Sequence, residues 1–372
     1  MAVHASGQDP YTDERMNVQD ERSIADSIAA IPFPDASWEE IAWARLDSLT
    51  KPPRSLGQLE VLAQRLAVLQ RSTHPSIARK AIVLMAGDHG VTAQGVSSYP
   101  SEVTAQMVAN FAAGGAAINQ LAAHAGASVI VVDVGVAHEL PEAPGVVAAR
   151  VRNGTADMSQ GPAMTRAEAV AAVGVGIGVV DDLAARGIDI VGTGDMGIGN
   201  TTASAAIVSA LLAADPADVV GPGTGLDEEG VAHKAEVVRC ALEVNAPDAS
   251  DPLDVLAKVG GLEIAGLAGV VIGAAARGVP VVSDGYISGA ATLLALRLAP
   301  AARPWVFASH RSAEPGHRLV LAALGLRPVL DLDMRLGEGT GAALAMEVMD
   351  AACAVMSGMA TFGEAGVSGR DG

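Results

Sequence analysis

From residue 80 onward the chain repeats one pattern: a short apolar, β-branched run, then a glycine-rich polar stretch, then an alanine-rich helix. The runs fall at 81–85, 129–134, 188–191, 280–283, 305–308 and 328–332. Continuous apolarity, as opposed to alternation, means that both faces of each strand are covered. Strand–helix–strand order then makes the strands parallel. The pattern predicts an α/β fold with a Rossmann-like, six-stranded parallel sheet and helices on both faces. After the six runs come GDHGVTAQGVSSYP, DVGV, GTGDMGIGNTT, DGYISG, SHRSAEPGH and DLDMRLGEGTG. These segments belong at the carboxyl edge of the sheet, where open α/β folds hold their ligands.

The flanking segments read as helical. Residues 1–22 have no periodicity and are expected to be a disordered tail. Ser37-Trp38-Glu39-Glu40 reads as a capping box opening a helix that stops by Lys51-Pro52-Pro53. Leu59, Leu62, Leu66 and Leu69 give one stripe on a second helix. A further capping box, Thr165-Arg166-Ala167-Glu168, opens a helix ending near Gly187. A last helix over about 340–359 is expected to return to the N-terminal ones. That predicts a small helical subdomain, 23–75 with 340–372, beside an α/β domain over 76–339.

Composition narrows the partners. The formal net charge of −18 argues against nucleic acid or an anionic membrane, since both require basic surface. A small anion still fits, because a few local N–H groups suffice to hold one. With 3% aromatics, the core must be built from small aliphatic side chains. Cys240 and Cys353 stand alone in apolar runs without CxxC or Cys/His spacing, so neither zinc nor a disulfide framework is expected. The first thirty residues lack a signal-peptide core, and the apolar stretch 266–276 is too short to span a bilayer. The expected protein is soluble and cytoplasmic.

Gly192, Gly194 and Gly197 form a GxGxxG, which raises a dinucleotide-binding turn. That reading needs a second strand ending in an acid roughly 20 residues later. Here Asp215 and Asp218 precede the apolar pair Val219-Val220, and another loop, GPGTG, follows. A mononucleotide phosphate cradle fits better: Gly197, Ile198, Gly199, Asn200 and Thr201 run into a helix whose free N–H groups and dipole attract an anion. No GxxxxGK[ST] is present, and Asp181-Asp182 read as a solvated helix face. Asp88-His89 is either a catalytic dyad or a turn held by its own side chains. Pro315-Gly316 breaks the helical spacing of His310, Glu314 and His317 that a metal site would need, so no metal is expected.

Six segments occur together in order: LDSLTKPPRSLGQLE (46–60), AGDHGVTAQGVSSYPSEVTAQMV (86–108), GTGDMGIGNTT (192–202), GPGTGLD (221–227), SHRSAEPGH (309–317) and RLGEGTGAALA (335–345). The set resembles the nicotinate-nucleotide:dimethylbenzimidazole phosphoribosyltransferases of cobalamin lower-ligand synthesis, over residues 35–365. The resemblance implies attack of a benzimidazole nitrogen on C1′ of nicotinate mononucleotide, with inversion. The products are α-ribazole 5′-phosphate and nicotinate. The leaving pyridinium nitrogen is already positive, so no cofactor, metal or acid is implied. A base is, because the attacking ring must lose its other N–H proton.

Glu338, expected at the end of the last strand between glycines, matches the family's catalytic glutamate. In a partly apolar pocket its pKa would rise, which suits a general base. Asp195 is an auxiliary carboxylate, standing where many relatives have glutamate. Ser98, Tyr99, Gln106 and Leu336 resemble the benzimidazole pocket. Gly197, Ile198, Gly199, Asn200 and Thr201 are expected to hold the phosphate, with Gly223 and Thr224 closing over it and Lys234 balancing its charge. Pro222 replaces a common arginine at this rim. Arg311 is a candidate partner for the nicotinate carboxylate. The family further implies a homodimer with sites near the interface. Two rival readings are a dinucleotide-dependent oxidoreductase and a non-catalytic homologue that binds bases or nucleotides.

Overall fold

The computed structural model describes residues 21–140 and 145–368. Most of the tail expected at 1–22 lies outside these residues. Six parallel strands form the sheet: β1 (Lys80–Gly87), β2 (Ala127–Gly135), β3 (Val146–Ala148), β4 (Ile190–Met196), β5 (Val281–Ser283) and β6 (Val306–Ala308). Their order is β3-β2-β1-β4-β5-β6. The direction of winding reverses between β1 and β4, which opens a crevice at the carboxyl ends of those two strands.

Strand β1 shows why continuous apolarity was required. Ala81, Val83 and Met85 join one core with Val173 and Ile177 of the helix Arg166–Ala185 and Leu267 and Val271 of the helix Leu262–Ala276. Ile82, Leu84 and Ala86 point the other way. They pack with Leu62 and Leu66 of the helix Gln58–Gln70, and with Met346 and Met349 of the helix Thr340–Gly358. Arg45, on the helix Ser37–Asp47, donates to the carbonyls of Met356 and Met359 and ties the two chain ends together. The terminal helical segments thus share one core with the second face of the sheet.

Three expectations are corrected. The run 328–332 is not a strand. Val329 and Leu330 donate to Ala308 and Ser309 carbonyls, but only the His310–Leu330 bridge forms. Pro328 has no N–H for a ladder, and Asp333, at φ 53°, turns the chain away. The sixth strand is the three-residue β3 at the opposite edge, buried only at its middle residue and so without a continuous apolar run. Ser37 does not cap its helix: its hydroxyl donates to Asp35 Oδ1 at 2.7 Å, and Ala36 holds the cap position. The Thr165–Glu168 box does form. Finally, the helix Thr340–Gly358 is long and apolar enough to cross a bilayer, unlike the shorter 266–276 stretch. Half of it is buried against the sheet and its neighbours, which accounts for its composition.

Candidate active site

Glu338 sits in the loop that enters the helix Thr340–Gly358 and not at a strand end. Gly337, Glu338 and Gly339 have φ of 82°, 63° and 86°, a left-handed run of three. A non-glycine residue there costs about 1–2 kcal/mol, and such outliers concentrate at functional sites. The turn lies directly on β4, and Gly194 makes that possible, while Gly192 makes room for Ile82 of β1. A Cβ on Gly194 would stand 2.6 Å from the Glu338 carbonyl oxygen, and one on Gly192 would stand 2.5 Å from Ile82. Both glycines lie inside β4, so the first half of the GxGxxG serves the packing of β4 against its neighbours and forms no dinucleotide turn.

The Glu338 carboxylate is only 6% exposed. Its Oε2 accepts from the Ile118 N–H at 3.3 Å, at the start of the helix Ala117–Ala125. Burial raises its pKa above the ordinary glutamate value, against the lowering effect of that N–H. Nearby, Asp195 ends β4 with Oδ2 accepting from Asn200 Nδ2 at 3.0 Å, while Oδ1 has no hydrogen-bond partner. Burial, reinforced by the charges of Asp284, Glu263 and Glu338, raises Asp195 well above the carboxylate range. Asp284 follows β5 and accepts from the N–H groups of Gly339 at 3.2 Å and Ala342 at 2.9 Å. Burial pushes Asp284 up to about 7 despite its backbone donors. This end of the crevice is acidic.

The other end is a donor site. Lys234, from the helix Glu228–Asn245, is fully buried and donates to Thr201 Oγ1 at 2.7 Å and the Gly221 carbonyl at 3.4 Å. Burial pulls its pKa down to about 8, with Glu314 opposing the change. Glu314 Oε1 accepts from the Gly223 N–H at 3.0 Å, and Arg335 Nη1 donates to the Gly223 carbonyl at 2.7 Å. Residues 201, 223, 234, 314 and 335 therefore converge from five separate segments.

A cavity of about 670 Å³ joins the two ends. Its walls include Glu338, Asp195, Gly197, Ile198, Asn200, Thr201, Gly223, Thr224, Tyr99 and Leu336, all anticipated from sequence. Gly199 and Lys234 stand just behind the wall. Gly199 sits where a Cβ would press on His89 and Thr92, and Lys234 reaches Thr201. Ser98 is exposed, and its N–H donates to Thr224 Oγ1 at 3.1 Å. Gln106 is exposed too and does not line the cavity; Val103 and Met107 of the same helix, Glu102–Ala112, do. Arg311 is also absent from the wall, and pairs with Asp331 instead. Asp88 and His89 are no dyad. Asp88 Oδ2 holds the Ala137 N–H at 2.8 Å, while His89 Nε2 meets Glu263 Oε1 at 2.6 Å.

Known proteins share the sequence and the fold over most of the chain. Residues 31–367 match a family model described as "Phosphoribosyltransferase". A nicotinate-nucleotide–dimethylbenzimidazole phosphoribosyltransferase from Roseiflexus sp. (strain RS-1) is 55% identical over 93% of this chain and 98% of its own length. One of the same name from Geobacter metallireducens is 51% identical over 94% and 99%. The solved structure of CobT from Thermus thermophilus is 52% identical with a TM-score of 0.87, covering 90% of this chain and all of that one. The chain belongs to this phosphoribosyltransferase family.

Within this phosphoribosyltransferase, several cavity residues escaped the sequence reading. Asp284, Tyr286, Ser312, Arg335, Val103 and Met107 all border the site or its loops. Arg335 and Ser312 lay inside segments already singled out, so their motifs were the available signal. Val103 and Met107 lay inside such a segment too, 86–108, but the segment did not say which way its helix faces. Their selection depends on which face of the helix Glu102–Ala112 turns inward.

Proposed function

We propose that the chain transfers the 5-phosphoribosyl group of nicotinate mononucleotide to 5,6-dimethylbenzimidazole, giving α-ribazole 5′-phosphate and nicotinate. The observation that carries the proposal is one cavity with a buried carboxylate on a strained turn at one end and a cationic donor cluster at the other. Its volume of about 670 Å³ lies in the usual range for small-molecule sites.

The phosphate rests in the cradle Gly197, Ile198, Gly199, Asn200 and Thr201 at the start of the helix Asn200–Leu212, held by the N–H groups of Gly197, Gly199 and Thr201, since those of Ile198 and Asn200 donate to Thr104 Oγ1 and the Gly197 carbonyl. Gly223 and Thr224 close over it, and Lys234 and Arg335 supply the balancing charge. The benzimidazole lies toward Tyr99, Val103, Met107 and Leu336, with its N–H directed at Glu338. One ring nitrogen attacks C1′ as the bond from C1′ to the nicotinate nitrogen breaks, and that electron pair returns to the pyridine ring. The proton on the other benzimidazole nitrogen passes to Glu338. Configuration at C1′ inverts. Asp195, buried beside Glu338 with its Oδ2 accepting from Asn200, is an auxiliary carboxylate that sets the polarity of this end. Tyr99 and Leu336 are 54% and 57% exposed at the cavity mouth, which supports a homodimer in which a second copy covers them. The enzyme acts in the cytoplasm.

The test is a product assay with chelator present, using nicotinate mononucleotide and 5,6-dimethylbenzimidazole and a Glu338→Ala control. Equimolar α-ribazole 5′-phosphate and nicotinate from the unaltered protein, greatly reduced in the variant, support the proposal. Absence of product from the unaltered protein overturns it for this pair of substrates.

A further inference from the structure

Asp284 is unusual among the acids of the site because its carboxylate is directed at backbone and not at the cavity. Its Oδ2 accepts from Gly339 N–H at 3.2 Å and its Oδ1 from Ala342 N–H at 2.9 Å, with Gly341 and Gly285 N–H groups also acting on it. The first three of these belong to the turn and first helical residues that immediately follow Glu338. The helix Thr340–Gly358 has Gly339 at its cap position, which offers no side chain for the free N–H groups. Asp284 supplies the missing acceptor from the residue that follows β5, a different segment of the chain. It is fully buried, and a Cβ on Gly341 would lie 2.8 Å from its Oδ1, so the fit leaves no slack. Meanwhile the preceding residue, Glu338, occupies a left-handed conformation that has to be imposed from outside.

We infer that Asp284 is a positioning residue: by gripping the N–H groups of Gly339 and Ala342 it holds the left-handed Glu338 turn in the geometry that aims the base at its acceptor. This rests on the reading of Glu338 as general base. Asp284 touches neither substrate, and its contribution to the rate passes entirely through Glu338. Loss of one of its two acceptor oxygens lets the turn relax by a fraction of an ångström, which lowers turnover while leaving the nucleotide loops at residues 197–201 and 221–224 undisturbed.

A double-mutant cycle on the full chain tests this. Turnover and KM for nicotinate mononucleotide are measured for the unaltered protein, Asp284→Asn, Glu338→Gln and the double variant, with product resolved by chromatography. Asp284→Asn is expected to lower kcat about 10- to 100-fold, the scale of a small misplacement of a catalytic group, with KM changed less than about twofold. In the Glu338→Gln background the same substitution is expected to cost under about twofold, because the group it positions is already gone. A role in folding alone would lower both backgrounds equally, and that result overturns the inference. So does an Asp284→Asn protein with kcat within about threefold of the unaltered one. Asp284→Ser, which keeps one acceptor on a shorter arm, is carried in parallel. Thermal melting selects whichever variant folds for the comparison. Should Glu338→Gln retain full turnover, the reading of Glu338 fails, and the inference fails with it; additivity with an inactive Glu338→Gln defeats the inference alone.

Discussion

The two ends of the cavity are built from opposite materials. At the sheet end, Asp195, Asp284 and Glu338 are buried close together, and burial raises all three above ordinary carboxylate values. At the loop end a buried lysine is pulled down toward neutrality, to about 8. Burial disfavours charge at both ends, so each group is displaced toward the pH at which it can change protonation. On the proposed function the contrast also orients the substrate. An anion is repelled from the acids and drawn to Lys234, Thr201 and the Gly223 loop, which leaves the opposite end for a neutral ring with a proton to lose.

Removing the proposed base should break the comparison most severely. Glu338→Gln keeps the shape but cannot accept a proton, and about 10²–10⁴ in kcat is expected to be lost with nucleotide binding retained. Steady-state kinetics beside nucleotide titration would separate the two; parallel losses in both would place Glu338 in binding. Removing the cation attacks the other end. Lys234→Ala is expected to raise KM for the nucleotide roughly 10- to 150-fold, matching a lost hydrogen bond to a charged group of about 1.5–3 kcal/mol, with a smaller change in kcat. A kcat defect with unchanged KM would move Lys234 out of the phosphate site.

The pH dependence sharpens the same contrast. Glu338 must be deprotonated to act, so kcat/KM should fall as pH drops through its raised pKa, above the usual glutamate value. Lys234 must be protonated, so nucleotide capture should weaken as pH rises through about 8. The acid limb should disappear in Glu338→Gln and the alkaline limb in Lys234→Ala; a profile unaltered in either variant would assign the limb to another group.

The smallest expected effect concerns stability. The folded pKa of Asp195 is raised, so the native state binds its proton more tightly than the unfolded chain does. That stabilisation is complete below the unfolded value of about 3.9 and is lost as pH rises through the folded one. Asp195→Asn removes the ionisable group while preserving an acceptor for Asn200. Its Tm is expected to exceed that of the unaltered protein by about 2 °C at pH 8 and to match it near pH 4. Calorimetry at the two pH values would check this, and a gap that does not close in acid would show that ionisation is not the cause.

Much of this was legible in the chain itself. Strands β1, β2, β4, β5 and β6 were visible because a strand buried on both faces must be continuously apolar. Glu338, Thr201, Gly223 and Lys234 were legible through motifs that match a family in order. Strand β3 was not, since only its middle residue is buried and no continuous apolar run marks it, and 328–332 misled because a β-branched run says nothing of whether a ladder partner exists. Gln106 was misplaced relative to Val103 and Met107, because facing depends on how the helix is rotated about its axis.

By itself, then, the sequence determined the parallel α/β architecture, the edge of the sheet that carries the site, and most residues of its two ends. Local patterning decides those, since periodicity and glycine-rich turns are properties of neighbouring residues. Tertiary structure alone decided that Gly194 makes room for the Glu338 turn, that Asp284 caps a helix more than fifty residues away in the chain, and that Lys234 reaches Thr201. Each of these is a contact between segments far apart in sequence, and which distant atoms meet is set by how helices and strands pack, not by any spacing along the chain.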